Sequence, residues 1–344
     1  MNKDPQTGQR KKDHILINLK KEVNSALTNG LEKYQFLHCA LPELDLADVD
    51  TSSTFFNKPL SFPILISSMT GGTREAEKIN RNLAVIAQSY TLGMGVGSQR
   101  AGLENDTSMQ TFKVRQYAPD ILLFANLGAV QLNYSYTIEH CKKLVDAIEA
   151  DALILHLNPL QEALMENGDT NFSGLLEKIE KVCRELPVPV VVKEVGWGIS
   201  VEVAKQLVNV GVQSIDLAGA GGTSWSEVEK HRTSQAYMKE IADAFKDWGI
   251  PTAECIVQVR KALTSIPLIA SGGLRNGVDI AKCIALGVNL GGMAHQFLAS
   301  AVDSEDSLNL TTLAITQQFR IAMFGVGARN LDELRINKIF RWNK

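Results

Sequence analysis

From about residue 60 to the C-terminal region, one unit repeats along the chain. A short apolar run closes on glycine or a polar residue, and a helical pattern follows. The runs are FPILISS (62–68), TLGMGVG (91–97), ILLFANLG (121–128), ALILHLN (152–158), PVVVKEVG (189–196), SIDLAGAGG (214–222), PLIASGG (267–273) and NLGGMA (289–294). Helical patterns such as REAEKINRNLAVIAQ (74–88) and YTIEHCKKLVDAIEA (136–150) lie between them. Continuous apolar runs suit strands covered on both faces, as in a parallel sheet. Their alternation with helices means βαβ units. Eight such units predict an α/β chain folded as a closed (β/α)8 TIM barrel. An open doubly wound sheet is the alternative. It would want GxGxxG after the first strand, with an acidic residue after the next, and neither is present. An open sheet also needs polar strand ends only at its switch point, whereas here almost every strand ends that way.

Two stretches fall outside the repeat. Residues 1–60 form an N-terminal extension expected to cap the barrel and contribute to its active site, with 61–344 forming the barrel. The connection from the sixth to the seventh strand, about 223–266, is long and holds GTSWSEVEKHRTS and then two helical patterns. Long connections at a barrel mouth commonly serve as lids or binding loops. Apolar residues make up 45% of the chain, enough for a large core, and the formal charge of −3 offers no field for nucleic acid. The five cysteines are scattered without a CxxC pair, so reduced thiols are expected rather than disulfides or a zinc site. The polar start MNKDPQTGQRKKDHI lacks the apolar core of a signal peptide, and no apolar run approaches membrane-spanning length. A soluble cytoplasmic protein with no membrane partner is expected.

The strand ends carry the chemistry. Gly272 and Gly273 follow the seventh strand and lead into a helix near Asn276. Glycines there let backbone approach a ligand, and a helix N-terminus offers amides to an anion. GMAHQF (292–297) brings small residues to the neighbouring eighth strand. In barrels this pair of loops commonly binds phosphate, so a phosphate-bearing cofactor is expected. Lys193 stands in a strand otherwise of valine, where an inward lysine needs an anion or ligand. A flavin ring that becomes negative on reduction would serve. Ser98 and Asn126 lie at similar depth on other strands, each explicable singly as an ordinary strand end, and the small residues of SSMTGGT (67–73) allow backbone contact with a flat ring or simply form a glycine-rich loop.

The densest signal is HLNPLQE (156–162), with four polar side chains at the end of one buried strand. His156 and Asn158 share a face by alternation, Pro159 ends pairing, and Gln161 and Glu162 are expected in the loop beyond. A single carboxylate suits Mg2+, which fills its shell with water and substrate phosphates. The basic run QRKKDHI (9–15), folded over the mouth, would place Arg10, Lys11 and His14 on a diphosphate, and Arg100 in SQR would join them.

Together RKKDH, SSMTGG, GVGSQR, ANLGA, HLNPLQE, VVKEVGWG, DLAGAGGTSW and ASGGLRNG stand in the order and spacing of the type 2 isopentenyl-diphosphate Δ-isomerases, which the chain resembles from residue 10 to about 335. HLNPLQE and GGTSW are specific to that family, while the glycine-rich loops are shared with many FMN barrels. The resemblance implies an FMN enzyme interconverting isopentenyl and dimethylallyl diphosphate. Its flavin is reduced by NAD(P)H, NADPH included, and Mg2+ holds the diphosphate. By match to the motifs, Arg10, Lys11, Ser98, Gln99, Arg100, His156, Asn158 and Gln161 are implied substrate contacts. Glu162 is the implied Mg2+ ligand. Ser68, Met69, Thr70, Ser98, Asn126, Lys193, Thr223, Gly272, Gly273 and Ala294 are implied FMN contacts, and Trp225 belongs to the lid over the substrate. Gln161, His156 and Lys193 are the expected catalytic groups. A homo-oligomer, tetramer or octamer, is implied as well.

Two rival enzymes share such a barrel. An FMN-dependent 2-hydroxy-acid oxidoreductase needs a histidine base near the flavin, yet the sixth strand end, IDLAGAGGTSW, has none and His231 comes later, in or near a helix. Chemistry like that of IMP dehydrogenase needs a cysteine nucleophile on a mouth loop, yet Cys255 and Cys283 fall in helical patterns. A flavin-binding barrel without turnover would leave HLNPLQE and RKKDH without a purpose.

Overall fold

The computed structural model describes residues 6–336 and 338–342, without the side chains of residues 6–10 and 12. Eight parallel strands close into a barrel in chain order. They are β1 (Ile64–Ile66), β2 (Gly93–Gly95), β3 (Leu123–Gly128), β4 (Ala152–His156), β5 (Val190–Lys193), β6 (Ser214–Asp216), β7 (Leu268–Ala270) and β8 (Leu290–Met293). Each falls within one of the eight apolar runs. Alternation along the strands sorts their side chains. Leu153, Leu155, Val190, Val192 and Ile215 face outward into the layer shared with the helices. Leu65, Phe124, Ile154, Val191, Ile269 and Leu290 fill the barrel interior.

Register carries that sorting to the mouth. His156 pairs with Lys193, and Lys193 with Asp216, so three polar residues lie in one row across β4, β5 and β6. Each stands two residues beyond an inward partner, Ile154, Val191 or Ser214, and so points the same way.

The extension does two separate jobs. A hairpin of strands Ser53–Phe55 and Lys58–Leu60 seals the end opposite the mouth, with Phe55 and Leu60 joining the interior cluster. The Phe55 ring lies 6.5 Å from that of Phe124, and Lys58 pairs with Asp151, just before β4, at 3.1 Å. The helix Gln6–Lys20 lies at the other end, over the mouth. The connection from β6 to β7 forms three helices, Trp225–Arg232, Ala236–Asp243 and Thr252–Ala262, one more than its pattern predicts. Among the described residues all five cysteines are free thiols; Cys141, Cys255 and Cys283 are buried, all three in helices. Among the described residues, no helix is long and apolar enough to cross a membrane.

Candidate active site

Asn126, on β3, is held by its backbone and side chain together. Its Nδ2 donates to the Val96 carbonyl at 3.2 Å, which turns its amide oxygen toward His156 Nδ1 at 2.8 Å. That oxygen only accepts, so Nδ1 of His156 carries the proton and Nε2 is the other face of the ring. Lys193 is half-buried. Its Nζ donates to the Glu194 carbonyl at 2.8 Å and to Ser271 Oγ at 3.3 Å, and lies 3.5 Å from Asp216. Asp216 is fully buried and accepts from Ser271 Oγ at 2.7 Å. Glu194 turns back to accept the amides of Val195, Gly196, Trp197 and Gly198 on one oxygen. Burial nonetheless pushes its carboxyl up to about 7.

HLNPLQE is a strand end followed by a helix, not a loop. Pro159 occupies the first helical position, where its missing N–H costs nothing, and the helix runs Pro159–Leu164. Gln161 and Glu162 therefore sit in a first helical turn, and both are buried. Asn158 precedes that turn and reaches both, its Nδ2 lying 3.2 Å from Gln161 Oε1 and 2.9 Å from Glu162 Oε1. Gln161 Nε2 donates to Glu229 at 3.2 Å, and Glu229 accepts from His14 Nε2 on the N-terminal helix, also at 3.2 Å. Burial works against the Glu229 charge, but His14, Arg232 and Gln161 outweigh it and hold the carboxyl below its ordinary range. His14 also meets the Trp225 ring edge to face, centroids 5.0 Å apart. Lys11 Nζ donates to the Ser98 carbonyl at 2.9 Å, and Thr223 to Asn18 at 3.2 Å. The side chain of Arg10 lies outside the described residues.

Arg100 opens a short helix after β2. It bonds Glu104 through Nε at 3.2 Å and Asp169 through Nη1 at 2.7 Å. Burial disfavours its charge, but Asp169, Tyr136 and Glu104 reverse the balance and raise its affinity for the proton. Gln99 precedes Arg100 in the chain. Its side chain is fully buried, accepting from the Asn126 amide at 3.0 Å and donating to the Leu144 carbonyl at 3.3 Å. These bonds brace β2 against β3.

The opposite side of the mouth fits a flavin phosphate. The hydroxyls of Ser67, Ser68 and Thr70, at the end of β1, are buried with no partner among the described residues, as befits groups awaiting a ligand. Met69 lies between them, half-buried. A Cβ on Gly97 would lie 2.7 Å from the Thr70 backbone, so strands one and two meet there only through glycine. Gly272 and Gly273 have φ of +99° and +74°, and a Cβ on Gly272 would lie 2.0 Å from the Gly219 carbonyl. Asn29, from the extension, donates to the Gly273 carbonyl at 2.7 Å. The helix His295–Asp303 starts after Ala294 without a side-chain cap, leaving its first amides for an anion.

A cation site is sparser. Among the described residues, no group of three His, Cys, Asp or Glu converges. Glu162 accepts from Asn158 and, on Oε2, from the Asp169 amide at 2.8 Å, while the buried Asn158 Oδ1 has no partner among the described residues. One carboxylate beside an orphaned amide oxygen fits a cation completed by water and phosphate, as Mg2+ prefers.

Glu229, Asp169, Asp216 and Asn29 were not singled out in the sequence. Asp216 was findable, since an acid in SIDLAG falls in register with Lys193. Glu229, Asp169 and Asn29 reach the site from helix and loop segments without a motif to mark them.

Comparisons with known proteins define first a class. Residues 156–341 match the model of the FMN-dependent dehydrogenase family. A mandelate oxidase variant crystallised with 4-Br-2-hydroxy-methylphenylacetate superposes with a TM-score of 0.69, covering 98% of this chain and 99% of that one. A second variant, with 2-hydroxy-phenylacetamide, gives 0.67. At 17% and 16% identity these show the fold alone. The chain is thus an FMN-dependent (β/α)8 barrel. Its sequence relatives are more particular. The isopentenyl-diphosphate delta-isomerase of Nostoc sp. strain PCC 7120 is 54% identical, covering 96% of this chain and 95% of its own. Those of Synechococcus sp. and Rickettsia bellii are 51% and 49% identical over similar spans. The chain belongs to the isopentenyl-diphosphate delta-isomerase family.

Proposed function

We propose that this enzyme interconverts isopentenyl and dimethylallyl diphosphate, moving a double bond by one position without net redox. The observation that carries this is the convergence of Asn158, Gln161, Glu162, Glu229 and His14 on one side of the mouth, opposite the flavin cradle. A 2-hydroxy-acid oxidoreductase would need a histidine at the end of β6, where Asp216 and small residues stand instead.

The substrate is a hydrocarbon alkene with a polyanionic tail. Its reacting carbons accept and donate no hydrogen bonds, so the tail supplies the positioning. Arg10, Lys11 and Arg100 hold the diphosphate, with Ser98 beside them, and Glu162 with Asn158 Oδ1 holds Mg2+. Ser68, Met69, Thr70, Ser98, Asn126, Lys193, Thr223, Gly272, Gly273 and Ala294 hold FMN, reduced by NADPH or NADH. Bound reduced FMN supplies the group that exchanges protons with the substrate carbons. Lys193, anchored by Asp216, presents positive charge to the flavin ring. His156 is oriented by Asn126, and Gln161 is held between Glu229 and Asn158. Trp225, packed on His14, walls the alkene from water. We assign the enzyme to the cytoplasm, as a tetramer or octamer.

The test is an anaerobic assay with FMN, NADPH, Mg2+ and labelled isopentenyl diphosphate, beside omission of each cofactor. Dimethylallyl diphosphate should form only with reduced flavin and Mg2+, and Glu162→Ala should lose at least a hundredfold in kcat/KM. Bound flavin with no product would sink the isomerase.

A further inference from the structure

Asp169 touches both halves of the diphosphate pocket. Its amide donates to Glu162 Oε2 at 2.8 Å, and its carboxylate accepts from Arg100 Nη1 at 2.7 Å and from Gln131 Nε2 at 2.9 Å. The loop that carries it is built for close approach. A Cβ on Gly168 would fall 1.9 Å from the Glu162 carbonyl oxygen, and Asn167 has a φ of +58°. Arg100 is held from the other side by Glu104, whose Oε1 also accepts from Tyr136 Oη at 2.9 Å.

The charges are the unusual part. A phosphate-binding arginine gains most when its charge is unopposed. Here one guanidinium sits between two carboxylates, with Glu162 beside them, so this group of four carries a formal charge of −2. Taken by itself this group opposes a bare diphosphate, against the attraction of Arg10 and Lys11 assigned to the same pocket. A divalent cation on Glu162 brings the group to neutrality and adds direct bonds to the phosphates. Resting on the reading of Arg100 and Glu162 given above, we propose that Asp169, seconded by Glu104, is a positioning and specificity-determining residue. It aligns Arg100 with Glu162 and makes the pocket select the cation-complexed diphosphate over the free one.

The test is equilibrium binding, independent of turnover. Isopentenyl diphosphate is titrated calorimetrically into FMN-loaded enzyme with the flavin left oxidised, in saturating Mg2+ and in EDTA. The quantity read is the ratio of the two affinities. Asp169→Asn keeps the amide and an acceptor oxygen for Arg100 but removes a charge. Its affinity in EDTA should rise, shrinking the ratio about tenfold. Glu104→Gln, which leaves the Glu162 contact untouched, should shrink it in the same direction and covers the case of a misfolded Asp169 variant. A ratio unchanged or enlarged in both variants overturns the proposal, because a merely structural loop would weaken binding equally in both buffers. Arg100→Ala separates the two readings. If it binds in Mg2+ as the wild type does, the diphosphate site itself is misassigned. If it loses affinity while the ratio stays fixed in Asp169→Asn and Glu104→Gln, only the role of Asp169 fails.

Discussion

At the scale of the residue, the barrel mouth depends on charges that are never left alone. Lys193 meets Asp216, which is wholly shielded from water, and breaking a buried pair strands the remaining charge. Lys193→Met should therefore cost about 3 kcal/mol in the flavin-free protein, read from urea unfolding, and also weaken FMN binding. Adding Asp216→Asn should restore much of the stability but not the flavin affinity; additive losses would show that the pair is not coupled. Glu194 gives a pH signature. Its carboxyl is raised from 4.5 to about 7 by burial, so the folded state holds the proton more tightly than the unfolded chain. That contribution is fully present below about pH 4.5 and is lost as pH rises through 7. Its size is on the order of 3 kcal/mol. Glu194→Gln should flatten the fall in unfolding free energy across that window, and an unchanged slope would place the titration elsewhere.

Single elements divide the labour cleanly between stability and binding. The hairpin 53–60 plugs the end remote from the mouth with Phe55, which is 4% exposed. Phe55→Ala should destabilise by about 3–5 kcal/mol while leaving FMN affinity within twofold, measured by urea melts and flavin fluorescence. The loop after β7 behaves oppositely. Gly272→Ala forces a Cβ against the Gly219 carbonyl and strains a left-handed φ. FMN affinity should fall at least tenfold even where the fold survives. HLNPLQE belongs to this scale as well. Proline in a polar stretch reads most simply as a turn, yet here it starts a helix, and that helix buries Gln161 and Glu162 instead of exposing them on a loop.

Across the whole molecule, the N-terminal helix closes the site from outside the barrel. Lys11, His14 and Asn18 bond the ends of β2 and the β6–β7 connection. Deleting residues 1–20 should leave a folded barrel that still binds FMN but raises the KM for isopentenyl diphosphate at least tenfold. An unchanged KM would show that the helix only shields the mouth.

The barrel was legible because its cause is local. Eight runs with the same pattern of burial each specify a two-sided strand, and eight parallel strands close on one another. The residues at the strand ends were legible for the same reason, because alternation alone sends His156, Lys193 and Asn126 inward. The partners of those residues were not. Nothing near Gln161 in the chain indicates Glu229, 68 positions on, and nothing near Arg100 indicates Asp169, 69 positions on. Gln99 sits in the same motif as Arg100, yet it is buried as a brace while Arg100 faces the site. Residue type and spacing state what a strand or helix turn presents. Which charge neutralises which depends on loops meeting across the mouth, and only the closed barrel brings those loops together.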